Sequence, residues 1–419
     1  MIGGMMRNQA LKKFILIVVA LIVMAGCASS PPRLHESGLN SRFVHGEDVP
    51  FDEYIRQSVQ MLEKARVDLN EINRDAILDA NRPFELKPAE ARFPRNREGR
   101  YERGILLIHG LSDSPYLLKP IARHLQKRGF LVRSILLPGH GTVPGDLLNI
   151  RYGEWIRATE YGIHQLKRQA EQLYLGGFST GGALSIHEAM NNKEIKGLIL
   201  FAPAVGIKSR WAFMADFIKI FQRWLGGEED DRDYAKYETF AVNGGAQIYH
   251  LTRRIDAAFA SGQRLSMPVF TVLSEDDISI DTNKMLAVFN AYVTSPKSLL
   301  VLYGSEGRKE RKAIDGRILF QNSFLPDEHI LDYAHISLVM PPDDPHYGKN
   351  GGYRYCLHYR NDPEKRMACL HDPQIRQGEL TEENMKKYTL RRLTYNPGFD
   401  AMIGFLDRFL DGLNEKIVK

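Results

Sequence analysis

Residues Leu173 to Ile186 read LYLGGFSTGGALSI: an apolar run breaks into glycines around one serine, then resumes with helical spacing. Gly177-Phe178-Ser179-Thr180-Gly181 fits G-x-S-x-G, in which the serine sits on a strained strand-to-helix turn with its hydroxyl exposed. Glycine is needed on both sides because a Cβ would strike neighbouring backbone in so tight a turn. With 35 glycines in 419 residues, the pattern alone discriminates little. Its context does more: a strand-like run precedes it, a helical pattern follows, and Gly176 and Gly182 permit close packing. Ser179 is therefore the candidate nucleophile, against the plainer reading of a Gly-rich strand-to-helix loop.

The flanking sequence repeats the same alternation. Ile105-Leu106-Leu107-Ile108 is continuously apolar, as expected of a strand buried on both faces of a parallel sheet, and it ends in His109-Gly110-Leu111-Ser112-Asp113-Ser114-Pro115. The pattern predicts helices over Leu118–Lys127 and Tyr152–Gln172, and strands over Phe130–Leu136, Ile195–Phe201 and Pro268–Leu273. A helix over Asn396–Leu413 closes the core, and Ala313–Leu325 is a candidate for an extra strand. Strands alternating with helices define the α/β class with a mostly parallel sheet.

The motifs LLIHGLSDSP, LPGHGT and GGFSTGG, in that order and spacing, resemble the α/β-hydrolase superfamily. Within it, the likeness is to the monoacylglycerol lipase, lysophospholipase and bacterial carboxylesterase branch. It covers roughly residues 100 to 300 and the C-terminal helix. The resemblance implies a mostly parallel sheet flanked by helices, with an inserted helical cap. Residues 101–204 and 266–419 would form the core, 205–265 the cap, and 341–378 a further insertion.

An acyl-transfer serine needs a base, an orienting acid and donors for the oxyanion. In this fold the order along the chain is serine, acid, histidine. By similarity to the family's acid loop, in which the aspartate stands four residues before another Asp or Asn, Asp277 is the match. Asp276 is its nearest rival. The base must follow, leaving His329, His335, His346, His358 and His371. His335, in Tyr333-Ala334-His335-Ile336, resembles the family's histidine loop; His346 comes second, and the polar or Tyr-rich context of the other four points to the surface. His109 and His140 precede the nucleophile and are expected to shape loops. The resemblance places the oxyanion donors on the backbone N–H groups of Leu111 and Thr180.

More than 60 residues separate the strand Ile195–Phe201 from the strand before Asp277, too many for a simple crossover. Within them, Trp211, Met214, Phe217, Ile218, Phe221, Trp224 and Leu225 recur at helical spacing. This predicts a lid helix whose aromatic face, with Trp211, Met214, Phe217 and Phe221, either lines an acyl pocket or packs on the core.

The first 26 residues are read as a targeting signal. Arg7, Lys12 and Lys13 precede an apolar run from Phe14 to Met24, and Ala25-Gly26 supplies small residues before Cys27. Val23-Met24-Ala25-Gly26-Cys27 resembles the lipobox of bacterial lipoproteins, with Met24 where leucine is usual. The resemblance implies lipidation of Cys27, and Ala28 after it favours the outer membrane. The signal carries three of the chain's five excess positive charges, leaving a nearly neutral protein of about 390 residues with no call for a nucleic-acid partner. Residues 27–100 read as tether and N-terminal extension, with helical spacing in Phe51–Asn73 and a Pro-, Arg- and Asn-rich stretch from Ala80 to Arg100 expected to lack regular structure. Cys356 and Cys369 lie in a polar region unsuited to a deep core and are expected to pair in an oxidising compartment.

Together these readings predict a membrane-tethered serine hydrolase of carboxylic esters, with a lysophospholipid- or monoacylglycerol-like substrate and no metal or cofactor. A thioesterase or acyltransferase with the same triad, and a non-catalytic envelope lipoprotein that binds lipid or protein, are the alternatives. The sequence does not address the oligomeric state.

Overall fold

The protein is described by a computed structural model over residues 31–208, 212–225, 232–305 and 315–414. An N-terminal extension contributes helices α1 (Phe51–Ala65) and α2 (Arg74–Asn81) and strand β1 (Phe84–Leu86). The alternating part follows as β2 (Tyr101–Ile108), α3 (Lys119–Lys127), β3 (Phe130–Ile135), α4 (Tyr152–Lys167), β4 (Ala170–Phe178), α5 (Thr180–Asn191) and β5 (Ile195–Phe201). Next come α6 (Ala215–Phe221), β6 (Trp224–Leu225), β7 (Phe240–Ala241) and α7 (Val242–Ala260). The chain then returns to the sheet with β8 (Val269–Ser274), α8 (Thr282–Tyr292), β9 (Leu299–Gly304) and β10 (Ile318–Asn322). It ends with α9 (Pro363–His371), β11 (Arg376–Gly378), α10 (Glu382–Lys387), β12 (Leu390–Arg392) and α11 (Phe399–Asn414).

Eight strands form one sheet in the order β1-β3-β2-β4-β5-β8-β9-β10. Only β1 runs antiparallel, on β3; the remaining pairs are parallel. The central strands are buried almost throughout, which explains why their sequences are continuously apolar rather than alternating. The chain moves outward from β2 to β3 and then returns past β2 to β4. That reversal opens a crevice beyond the carboxyl ends of β2 and β4, the place where open α/β sheets bind ligands. This is the α/β-hydrolase fold that the sequence predicts.

Several boundaries differ from the sequence reading. Helix α4 stops at Lys167, and β4 starts at Ala170, where it pairs with Tyr101. The stretch from Ala80 to Arg100 is not wholly irregular, because Phe84–Leu86 adds the edge strand β1. The expected lid helix is cut short: α6 ends at Phe221, and Trp224–Leu225 instead pairs with Phe240–Ala241. The proposed extra strand corresponds to β10, which pairs with β9.

The N-terminal extension is packed on the core. Tyr54, Phe51 and Leu62 of α1 are buried. Tyr54 Oη accepts the Leu136 N–H at 3.1 Å and donates to the Leu136 carbonyl at 3.2 Å, immediately after β3.

Candidate active site

Ser179 follows the last residue of β4 with φ 52° and ψ −113°, a backbone conformation that non-glycine residues rarely adopt. Two features hold it there. Its N–H donates to the Phe201 carbonyl at 2.9 Å, and its carbonyl accepts the N–H groups of Ala183 and Ala204. The flanking glycines are sterically required: a Cβ on Gly181 would lie 1.8 Å from the Ile108 oxygen, and one on Gly177 would lie 2.3 Å from the Gly181 carbonyl carbon. Thr180 opens α5, so its N–H has no intrahelical acceptor.

Asp277 lies in the loop after β8 and is fully buried. Its Oδ1 accepts the N–H groups of Ser279 at 2.7 Å and Ile280 at 3.1 Å, which orients the carboxylate. Its Oδ2 lies 2.5 Å from His335 Nδ1. Asp281, four residues after Asp277, caps α8 by accepting the Lys284 N–H at 3.0 Å. Of the two candidate acids, Asp277 holds the imidazole. With Nδ1 engaged in this way, Nε2 is the ring nitrogen left for a reacting group.

Ser179, His335 and Leu111 line one cavity of about 340 Å³. Its apolar wall includes Phe178, Ile207, Phe240, Ile248 and Ile280, and its polar groups include Asp113, Lys236, Glu238, Tyr353 and Arg392. The volume falls within the range of small-molecule sites. Among the described residues, no group of three His, Cys, Asp or Glu side chains is placed to hold a metal ion.

The lid residues stand elsewhere. Phe217 is 59% and Phe221 75% exposed, their rings 5.2 Å apart, and neither they nor Met214 belong to the cavity wall. The aromatic face of α6 thus neither lines an acyl pocket nor packs fully on the core, because the shortened helix presents that face to solvent. The inserted segment instead contributes Phe240 and Ile248, from around β7 and α7, to the apolar lining. Trp211 and Cys27 lie outside the described residues.

Of the four histidines expected at the surface, His371 is exposed and His346 is not. His346 is buried, and its Nε2 lies 2.9 Å from Asp233 Oδ1 within a cluster containing Tyr116, Tyr234, Tyr347 and Tyr353. Its Tyr-rich context therefore marks a buried polar network. His109 accepts the Leu137 N–H on Nε2 at 3.0 Å and places Nδ1 2.8 Å from the Gly110 carbonyl, so the neutral ring ties two loops together. Burial, then the neighbouring charge of His140, pushes its pKa well below the ordinary histidine value. Burial likewise lowers His140 to about 4.

Four charged residues around the site had no role in the sequence reading. Glu379 is fully buried; its Oε2 accepts the His335 backbone N–H at 3.0 Å, and both carboxylate oxygens take hydrogen bonds from Arg392, at 2.7 and 2.9 Å. Lys236 and Asp113 form an ion pair beside Leu111. These partners are 13 to 123 positions apart, and one sequence carries no signal of such pairings. The cysteine pairing was legible: Cys356 and Cys369 form a disulfide, although both are buried with Tyr359 in a satellite cluster.

The parallel sheet, with the strand-to-helix turn at Ser179, has the α/β-hydrolase fold. Residues 100–228 match the family model described as Serine aminopeptidase, S33. The chain is 25% identical over 204 residues to the thermostable monoacylglycerol lipase of Bacillus sp. (strain H-257), covering 48% of this chain and 81% of that one. It is 22% identical over 208 residues to the carboxylesterase of Bacillus subtilis (strain 168), covering 47% and 81%. Similar solved structures include a metagenome-derived lipolytic enzyme of the LipS and LipT study (TM-score 0.46, 18% identity, 54% of this chain and 88% of that one). A soluble variant of the Saccharomyces cerevisiae monoglyceride lipase in complex with a substrate analog is another (TM-score 0.42, 16% identity, 53% and 81%). The chain is thus similar to lipases and carboxylesterases built on the α/β-hydrolase fold.

Proposed function

We propose that this protein hydrolyses carboxylic esters of lipid-like acyl substrates, of the monoacylglycerol or lysophospholipid kind, through Ser179, His335 and Asp277. The observation that carries this reading is the His335–Asp277 pair opening into the same cavity as a serine on a strained turn. In the reaction, His335 Nε2 takes the proton of the Ser179 hydroxyl as Oγ bonds to the acyl carbon. The carbonyl oxygen becomes an oxyanion beside the N–H groups of Leu111 and Thr180. Collapse breaks the ester C–O bond, and His335 returns its proton to the departing alcohol. Water then repeats the sequence on the acyl-enzyme and releases the acid. Asp277 keeps the imidazole oriented and offsets the positive charge that forms on it.

A mainly apolar cavity wall suits an acyl chain. The lipobox-like Val23–Cys27 stretch supports a second part of the reading, that Cys27 carries lipid and tethers the enzyme in the cell envelope at the outer membrane.

A fluorophosphonate probe tests the catalytic reading. The folded protein is expected to be labelled and Ser179→Ala to lose both labelling and hydrolysis, by at least about 1000-fold in turnover. Equal labelling of the variant, or no hydrolysis across a series of acyl p-nitrophenyl esters, monoacylglycerols and lysolipids, would overturn it in favour of a non-catalytic binding protein.

A further inference from the structure

We propose that Lys236, supplied by the segment between β6 and β7, is a positioning residue for the loop that carries the Leu111 N–H; this rests on the serine-hydrolase reading above. The Lys236 ammonium reaches three acceptors on one turn: the Leu111 carbonyl at 3.3 Å, Ser112 Oγ at 3.1 Å and the Asp113 carboxylate. A lysine has three N–H donors, so this turn engages its full complement.

The turn needs such a clamp. Ser112 has φ 60°, in the left-handed region that disfavours side chains with a Cβ. The adjacent backbone reinforces the contact, since the Tyr237 N–H donates to the Ser112 carbonyl at 2.8 Å. Strained conformations of this kind persist only where their surroundings over-determine them. Asp113 makes the clamp obligatory. It is buried, and burial raises its pKa while the Lys236 charge opposes that rise. Without a cation beside it, the carboxylate would take up a proton or turn toward water, and either change would re-form the loop between Gly110 and Asp113.

Lys236 also lines the cavity with Ser179 and His335. The segment that covers the site therefore sets the geometry of its oxyanion loop. An error in that loop is felt in the transition state, when charge develops on the substrate oxygen, and much less in substrate binding.

The test compares Lys236→Met, Lys236→Arg and the double variant Lys236→Met/Asp113→Asn, using a soluble p-nitrophenyl ester and the rate of phosphonylation of Ser179. Lys236→Met is expected to lower kcat about 100-fold, with KM changed by less than about threefold and phosphonylation slowed in parallel. Lys236→Arg, which keeps charge and donors, is expected to recover kcat to within about tenfold of the parent. The double variant removes the buried charge, so it carries the test should the single variant fail to fold. It is expected to unfold at the parent's temperature while kcat stays about 100-fold low.

A folded double variant with the parent's kcat would overturn the inference, since Lys236 would then merely neutralise Asp113. A raised KM with unchanged kcat would also overturn it, by making Lys236 a substrate contact. Ser179→Ala, measured alongside, separates the two levels: hydrolysis surviving in that variant rejects the serine-hydrolase reading itself, whatever Lys236 does.

Discussion

Asp332 shows how a single buried side chain near the site couples to pH. Burial, followed by the negative charge of Asp276, raises its carboxyl to about 7. Its hydrogen bonds run to the Glu379 N–H at 2.5 Å and Asn384 Nδ2 at 2.7 Å, so it underlies the carboxylate that holds the His335 backbone. A carboxyl raised in the fold binds its proton more tightly there than in the unfolded chain. Its stabilising share is complete below about pH 4 and is lost as pH climbs toward 7, a change of about 4 kcal/mol for a shift of this size. Urea unfolding from pH 4 to 8 should show this downward component, and Asp332→Asn should remove it; an identical slope in the variant would count against the assignment. His140 acts in the opposite sense. Lowered to about 4, it refuses a proton that the unfolded chain accepts, so stability also falls as pH drops from about 6.5 toward 4.

Among the elements, the pair β11 and β12 joins the disulfide region to the site. Arg391 of β12 donates through Nε to the Cys369 carbonyl at 2.7 Å and through Nη2 to the Leu370 carbonyl at 3.2 Å. The next residue, Arg392, carries the ion pair to Glu379. The Cys356–Cys369 link spans 13 positions and contributes about 3 kcal/mol in the chain-entropy model. Replacing both cysteines by serine should therefore lower the unfolding free energy from urea titration by about 3 kcal/mol, shift the midpoint down accordingly, and make unfolding insensitive to added reductant. An unchanged midpoint would show that the cluster around Tyr359 holds this region without the covalent bond. At the same level, helix α6 is shorter than its apolar period. Its apolar period is real, but seven residues form the helix, and β6 takes Trp224 and Leu225 into a strand pair. Periodicity cannot distinguish a helical face that finds a partner from one left in solvent.

Across the molecule, the N-terminal extension and the covering segment meet. Arg33 Nη1 donates to Thr239 Oγ1 at 3.1 Å, and Ser37 binds Asp146 through both N–H and Oγ at 2.7 Å. The described chain thus meets the segment that leads into β7 at Arg33, six positions beyond Cys27. A stretch of that length spans at most about 20 Å, so a lipid at Cys27 would hold this side of the protein close to a membrane surface. With Cys27→Ala, the protein is expected in the soluble fraction of the cell envelope, and the intact mass of the parent should exceed its peptide mass by that of the acyl groups. A parent protein with no added mass would show that Cys27 carries no lipid tether.

The alternation of strands and helices, and the turn at Ser179, were legible in the chain because both arise from near neighbours. Apolar period reports burial of a continuous segment, and the glycines at 177 and 181 answer clashes within a few residues or with the adjacent strand. Asp277 and His335 could be chosen only through resemblance, because nothing local to either residue requires the other. Lys236 on Asp113, Glu379 beneath His335 and Arg392 on the cavity wall emerged from the folded arrangement. Such charges meet only after distant segments have left water together, and their energy depends on burial and separation, quantities that residue order does not carry.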